Sequence, residues 1–243
     1  MKVLVACEES QRVCTAFRER GHEAYSCDIQ EPSGGHPEWH ILGDVLKVLN
    51  PYDTDPCGGT ETTGILFETM DGAVHFVKKW DLIIAHPPCT YLTNVATRHH
   101  SLKFTPLEKI NKRTEQRIDA MGFFMQFVNA DCDRIAIENP VGVMNTCYRK
   151  PDQIIHPYMF AESENDTENY VTKATCLWLK NLPALVTNSL PKPNNKELFG
   201  VLPSGKAKTW EDSLCRSGGA EKARSKTFIG VANAFAEQWG DMQ

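Results

Sequence analysis

The sequence contains no apolar run that approaches the roughly 20 residues needed to span a membrane. Its nine cysteines include no C-x-x-C or C-x-x-H pair, so neither a zinc ribbon nor a disulfide framework is indicated. The apolar first residues are followed at once by Glu8 and Glu9, which is not the pattern of a secretory signal. We therefore expect a reduced, cytoplasmic protein with no membrane partner and no metal.

The sequence also lacks an excess of positive charge. Its 26 Lys and Arg residues stand against 31 Asp and Glu residues, which gives a formal net charge of -5. A surface coated in basic side chains is thereby excluded, whereas a local basic cleft would still be enough to bind nucleic acid.

Short apolar runs alternate with helical patterns through the first half of the 243-residue chain. One helix between successive strands is typical of βαβ units, which form parallel sheets. Residues 50–71 are rich in Gly, Thr, Asp and Pro and indicate an excursion with a small hairpin at 65–67 and 73–77. The predicted strands cover residues 2–7, 23–29, 41–42, 81–85, 134–137 and 175–179, and the predicted helices cover 11–20, 107–128 and 228–239.

Polar and acidic side chains follow the predicted strands at the points where they end. In an open parallel sheet these ends meet at one edge, where ligands bind. Asp28 ends the second strand, a position that commonly holds ribose hydroxyls, and Asp44 ends the third, where it could accept from an adenine amino group. The alternative for each is an ordinary turn or helix cap.

The tripeptide Pro87-Pro88-Cys89 follows a buried strand. Two prolines restrict the backbone and would present the thiol rigidly at the sheet edge. A nucleophilic cysteine needs partial exposure and a lowered pKa, and both are available in such a loop. The competing interpretation of one cysteine among nine is a small buried apolar side chain.

Two of these segments resemble the signature motifs of one enzyme family. Residues 81–89, DLIIAHPPC, resemble the nucleophile motif of DNA cytosine-5 methyltransferases, and residues 137–140, IENP, resemble their Glu-Asn-Val motif with Pro140 in place of Val. The chain is most similar to compact, phage-type members. The resemblance implies the α/β, Rossmann-like fold of S-adenosylmethionine-dependent methyltransferases, with a mostly parallel sheet and helices on both faces.

The resemblance also implies a catalytic set of Cys89, Glu138 and Asn139. In this family the thiolate adds to carbon 6 of cytosine, which makes carbon 5 nucleophilic enough to take a methyl group from S-adenosylmethionine. Glu138 would donate to ring nitrogen N3, for which a raised pKa and a cavity shared with Cys89 are expected. Asn139 would hold the geometry of the loop. The base must leave the DNA duplex to reach the site.

The cofactor positions carried over from the family lie in several segments. The usual Gly-rich turn is absent after the first strand, and Gln11 stands where a glycine could be. The implied cofactor-binding residues are Cys7, Glu8, Glu9, Ser10, Asp28, Ile29, Asp44, Val45, Pro87 and Phe228.

The implied DNA contacts are Arg98, His99, Lys173, Arg216 and Arg224. Further basic residues on the helix after Lys109 are either phosphate contacts or a solvated face. By the resemblance, the chain divides into a catalytic domain over 1–187, a short irregular insertion over 188–223 in place of a target-recognition domain, and a closing helix over 224–243 that returns to the catalytic domain.

Three other functions remain open from the sequence. An amino methyltransferase acting on cytosine N4 or adenine N6 is disfavoured, because His86 precedes Pro-Pro and Cys89, rather than an aromatic residue, follows it. A catalytically silent relative that binds DNA or cofactor is compatible with the missing glycines, since a fold does not fix a function. A small-molecule methyltransferase would leave the pair of Cys89 and Glu138 without a role.

Overall fold

The computed structural model of the chain describes residues 1–54, 63–94, 101–103, 105–214 and 220–242. Its strands are β1 (Lys2–Ala6), β2 (Glu23–Asp28), β3 (His40–Leu42), β4 (Tyr52–Asp53), β5 (Thr63–Glu68), β6 (Val74–Val77), β7 (Leu82–Ala85), β8 (Ile135–Pro140), β9 (Gln153–Ile155) and β10 (Thr175–Lys180). Its α-helices are α1 (Arg12–Glu19), α2 (Leu107–Val128), α3 (Met144–Cys147), α4 (Asn195–Phe199), α5 (Trp210–Ser213), α6 (Ala220–Ser225) and α7 (Ile229–Gly240).

Seven strands form one sheet in the order β3-β2-β1-β7-β8-β10-β9. The pairs from β3 to β8 are parallel, and β10 runs antiparallel to both of its neighbours. The chain builds outward from β1 to β3 and then resumes on the other side of β1 with β7. The predicted α/β class with a mostly parallel sheet is therefore confirmed, and the direction of winding reverses between β1 and β7.

Both faces of this sheet are covered. Side chains alternate along a strand, so Val3 and Val5 of β1 face one side while Leu4 and Ala6 face the other. The first side packs against Phe17 of α1 and Phe235, Val231 and Trp239 of α7. The second packs against Phe124 and Phe127 of α2 and against Ile65 and Phe67 of β5. Helices on both faces were expected from the sequence, and the structure has them.

Helix α1 ends as the sequence predicts. Gly21 has a φ of +80° and donates its N–H to the carbonyl of Arg18, while the N–H of His22 reaches the carbonyl of Phe17. Such a left-handed residue satisfies the last carbonyls of a helix and favours glycine. The turn returns the chain directly into β2.

The predicted excursion after Asn50 forms a second sheet, in the order β4-β5-β6. Its β5–β6 hairpin matches the expectation and buries Phe67 against Tyr25, with ring centroids 4.9 Å apart. The segment over 188–214 contains the short helices α4 and α5, where an irregular insertion was expected. Among the described residues, no helix is both long and apolar enough to cross a bilayer.

The burial of Phe235 allows a test of the α7 interface. Its side chain is 0% exposed and stacks on Trp239 at a centroid distance of 4.6 Å. Phe235→Ala should lower the free energy of unfolding by about 3–5 kcal/mol, because it leaves a cavity between α7 and the sheet. Phe76→Ala is the matched control, since Phe76 is 44% exposed and its loss should cost less than about 1 kcal/mol. Urea denaturation measures both, and equal losses would contradict this account of the core.

Candidate active site at the carboxyl edge of the sheet

The strand register brings several sequence-predicted residues to one edge. Ala6 pairs with Cys27 on one side and with Ala85 on the other, so β1, β2 and β7 end level with one another. A cleft of about 520 Å³ opens there. The ends of β1, β2 and β3 form one wall, and α2 with the loop after β7 forms the other.

Two carboxylates line the cleft at the positions expected from the sequence. Asp28 accepts the N–H of Gln30 at 2.9 Å, and Asp44 accepts the N–H of Leu46 at 3.0 Å. Both carboxylates therefore make the contacts of an ordinary turn or helix cap, and both also line the cleft. Ile29, which is 79% exposed, and Val45 also line the cleft. An exposed isoleucine beside two carboxylates suits a ligand with both a flat apolar part and polar hydrogens.

Two thiols form the floor of this cleft. Burial, with the negative charge of Asp28, raises the pKa of Cys7 far above its ordinary value, and the same causes raise the pKa of Cys27 to about 12. Both are neutral at physiological pH and thus poor nucleophiles. Cys89, by contrast, is half-buried in the loop between the cleft-lining residues Pro88 and Tyr91.

Glu8, Glu9 and Ser10 are placed differently from the sequence prediction. All three are buried, and none of them lines the cleft. The Glu8 carboxylate lies at the N-terminus of α1, where it accepts the N–H groups of Val13 at 2.7 Å and Cys14 at 3.1 Å. Burial raises the pKa of Glu8, while nearby His86 and these two N–H groups oppose that shift. A glutamate thus closes the helix N-terminus, where a Gly-rich turn would leave the N–H groups open to a ligand.

Gln11 adopts the conformation of the missing glycine. Its φ is 57°, in the left-handed region, and it is fully buried. Its side chain accepts the N–H of His36 at 3.1 Å and donates to the carbonyl of the same residue at 2.8 Å. A Cβ on Gly34 would lie 2.5 Å from the Cβ of Gln11, so the loop after β2 packs closely on this glutamine. The sequence indicates that Gln11 replaces a glycine, but it does not indicate that the Gln11 side chain binds the backbone of His36.

The Cys89 loop is fastened to the end of β8. Asn139 is buried and donates its side-chain N–H to the carbonyl of Pro87 at 2.7 Å. The N–H of Val143 donates to the carbonyl of Leu92 at 2.8 Å. A Cβ on Gly142 would lie only 2.0 Å from the same carbonyl oxygen, so this approach requires glycine. Asn139 thus positions the loop. Pro87, which the resemblance implied as a cofactor-binding residue, is buried, and it is Pro88 that lines the cleft.

Glu138 is paired with a histidine that the motif comparison left without a role. His86 Nδ1 lies 2.9 Å from Glu138 Oε2, and their side chains are 8% and 18% exposed. Burial raises the pKa of Glu138, but the hydrogen bond and charge of His86, together with the charge of Lys173, outweigh it, so the pKa is lowered. The expected raised pKa is therefore wrong, because the sequence does not reveal the neighbouring histidine.

A second, much smaller cavity lies beside Glu138. Its volume of about 20 Å³ admits one water molecule. Lys173, Thr175 and Phe228 line it with Glu138, whereas Cys89 is not among its lining residues. Phe228 thus lines the Glu138 cavity and not the larger cleft. The resemblance implied that Phe228 would bind the cofactor, which would place it at the larger cleft.

The implied DNA contacts are only partly described. Lys173 donates to the carbonyl of Arg224 at 2.8 Å and lies 5.7 Å from the ring centroid of Phe228. Arg224 in turn donates to the carbonyl of Glu211 at 3.1 Å. Both cations therefore brace the segment before α7. Arg98, His99 and Arg216 lie outside the described residues.

On the helix after Lys109, two arginines contact the Cys89 loop. Arg117 donates to the carbonyl of Tyr91 at 3.0 Å, and the Arg113 guanidinium lies 5.2 Å from the centroid of its ring. Within the described part of the chain, no group of three or more His, Cys, Asp or Glu side chains could hold a metal ion.

Comparison of the chain with protein-family models gives no match, and comparison with curated proteins gives none either. Any function must therefore be argued from the cleft, the Cys89 loop and the Glu138 pair.

The Asn139 contact predicts a specific loss of stability. Asn139→Ala removes the donor to a buried carbonyl and should lower the free energy of unfolding by about 1–3 kcal/mol. Asn165→Ala, at an exposed position, should have almost no effect. Chemical denaturation followed by circular dichroism compares the two, and a neutral Asn139→Ala would show that the loop does not depend on this bond.

Proposed function

We propose that the protein transfers a methyl group from S-adenosylmethionine to carbon 5 of cytosine in DNA, through a covalent Cys89 adduct on a flipped base. One observation supports this above the others. The loop that contains Cys89 forms part of the wall of the carboxylate-lined cleft and is also held by Asn139, the neighbour of Glu138 in β8. The proposed cofactor site and the proposed proton donor are thus both connected to the loop that contains Cys89.

The cleft suits S-adenosylmethionine better than a dinucleotide. It lies where the winding of the sheet reverses, the usual ligand site in such folds, and its volume falls in the range of small-molecule pockets. Asp28, Asp44 and Asp119 line it, and no Lys or Arg does so among the described residues. These carboxylates would attract the sulfonium and amino groups and repel a pyrophosphate.

The N-terminus of α1 supports the same choice. Dinucleotide folds bind their pyrophosphate with the free N–H groups at this helix end. Here Glu8 already accepts from Val13 and Cys14. When bound, S-adenosylmethionine would be held by Asp28, Ile29 and Asp44 and would supply the methyl group.

In the proposed reaction, the Cys89 thiolate uses its electron pair to form a bond to carbon 6 of cytosine. Glu138 gives a proton to N3, which prevents negative charge from accumulating on the ring. Carbon 5 would then take the methyl group as S-adenosylhomocysteine leaves with the electron pair of the broken S–CH3 bond. Water would take the proton of carbon 5, and the electron pair of that C–H bond restores the double bond to carbon 6. Cys89 leaves with the electron pair of its C–S bond, and N3 returns its proton to Glu138. The base must first be flipped out of the duplex.

A catalytically silent relative is the second candidate, and the size of the Glu138 cavity favours it. A volume of about 20 Å³ does not admit a pyrimidine, and Cys89 does not line it. An active enzyme must therefore widen this cavity when DNA binds. The following experiment separates the two.

DNA that contains 5-fluorocytosine should trap the wild-type protein in the presence of S-adenosylmethionine. Fluorine cannot leave carbon 5 as a proton, so the adduct persists on a denaturing gel. Cys89→Ser should form no adduct and should yield no 5-methylcytosine by nucleoside mass spectrometry. Cys147→Ser, which alters an exposed thiol, is the control and should be trapped normally. Normal turnover by the Cys89 variant would exclude covalent catalysis, and no turnover by the wild type would favour the silent relative.

The cofactor assignment has its own test. Asp28→Ala should weaken the binding of S-adenosylmethionine by about 1–3 kcal/mol, because it removes an acceptor from the cleft. Asp133→Ala, at an exposed site before β8, should bind normally. Isothermal calorimetry provides both affinities. Equal affinities for the two variants would show that the cleft binds something else.

A further inference from the structure

The largely buried pair of His86 and Glu138 lies where β1, β7 and β8 meet. His86 follows β7 and donates its backbone N–H to the carbonyl of Ala6 at 2.9 Å. Its Nδ1 lies 2.9 Å from Glu138 Oε2. An ionised carboxylate only accepts hydrogen bonds, so Nδ1 must be the donor. The bond occupies one oxygen of Glu138, and the hydrogen on Nδ1 of His86 lies between the two side chains.

The second nitrogen of His86 has a different environment. Nε2 is buried and has no hydrogen-bond partner within the described part of the chain. A histidine that served only to fasten the loop would be expected to satisfy both nitrogens, because an unpaired buried polar atom is costly. Asn139 already fastens this loop through Pro87. The His86 ring therefore requires an explanation beyond packing.

The charged groups around the ring come from three sides. Glu8 approaches from the turn after β1, and its pKa is affected by the charge of His86. Glu138 faces the ring from β8, and Lys173, just before β10, acts on Glu138. Cys176 of β10 is also close enough for its pKa to be raised by Glu138, although burial is the larger cause. Two carboxyl groups thus flank one imidazole.

We propose that His86 is a positioning residue that controls the proton on Glu138, so that the pair and not the carboxyl group alone delivers the proton to the base. This inference rests on the proposed function. In the fraction of the enzyme whose Glu138 is protonated, this residue passes its carboxyl proton to N3 and keeps the electron pair of the O–H bond. The carboxylate that remains is stabilised by the Nδ1–H of His86. When Cys89 is eliminated, N3 returns the proton to Glu138.

The resting state of the pair has a consequence for pH. The pKa of Glu138 is lowered, so the carboxyl group is ionised at neutral pH when no base is bound. Because kcat/KM reports on the free enzyme, it should fall as pH rises through that pKa. Without His86, burial would dominate and the pKa of Glu138 would rise. The alkaline limb of kcat/KM should then move to higher pH.

The experiment compares His86→Ala and His86→Asn with the wild type over a range of pH. In His86→Ala, kcat should fall about 10-fold or more, and the alkaline limb should move to higher pH. Asn can donate to Glu138 without carrying a charge, so His86→Asn should recover part of kcat with a smaller displacement of the limb. His22→Asn is the matched control, because His22 also has a buried Nε2 without a partner and lies at the opposite edge of the sheet.

A second measurement does not depend on turnover. The ¹³C chemical shift of the Glu138 carboxyl group, assigned by its loss in Glu138→Gln, should titrate at higher pH in His86→Ala than in the wild type. An unchanged midpoint together with an unchanged limb would overturn the inference. A displaced midpoint in a protein that makes no 5-methylcytosine would support the control of the Glu138 proton and contradict the proposed function alone.

Discussion

The shared end point of the central parallel strands decides where the functional side chains lie. Ala6 is paired with both Cys27 and Ala85, and Ala85 is in turn paired with Ile137. The residues that follow these positions are Cys7, Asp28, His86 and Glu138, and they therefore lie at one edge of the sheet. A shift of one residue in any pair would turn its apolar side chains to the wrong face, so burial on both faces holds the register. The cleft and the His86–Glu138 pair are consequences of that alignment.

Much of this framework could be predicted from the sequence, because buried strands have a local signature. The runs at 2–7 and 81–85 are short, continuous and apolar, as strands covered on both sides must be. Helix α2 has the bounds expected from its periodicity, and Gly21 ends α1 as expected. Strand β9 was missed, because it has only three residues and depends on pairing with β10. The placement of Asp28 and Asp44 on one cleft needed only the strand ends.

The interior contacts of the site could not be predicted in the same way. Glu8 and Gln11 are polar residues in a turn. Nothing in the neighbouring sequence indicates that Glu8 caps the N-terminus of α1 or that Gln11 adopts a left-handed conformation. The bond between His86 and Glu138 joins residues 52 positions apart. Its effect on the pKa of Glu138 opposes the burial effect that motif reasoning anticipated. Such long-range polar contacts depend on the finished packing of several elements.

The reversed direction of β10 also affects how the protein could diversify. Because β10 begins at the functional edge and ends at the opposite one, the chain over 181–227 must travel back before α7 begins beside Phe228. The described parts of this return path, 181–214 and 220–227, run outside the strands of the seven-stranded sheet, so the register of that sheet does not fix the length of the segment. Loop closure becomes only slightly more costly as a loop grows. The segment is thus an insertion point at which new surface could be added while the cleft, Cys89 and Glu138 stay in place.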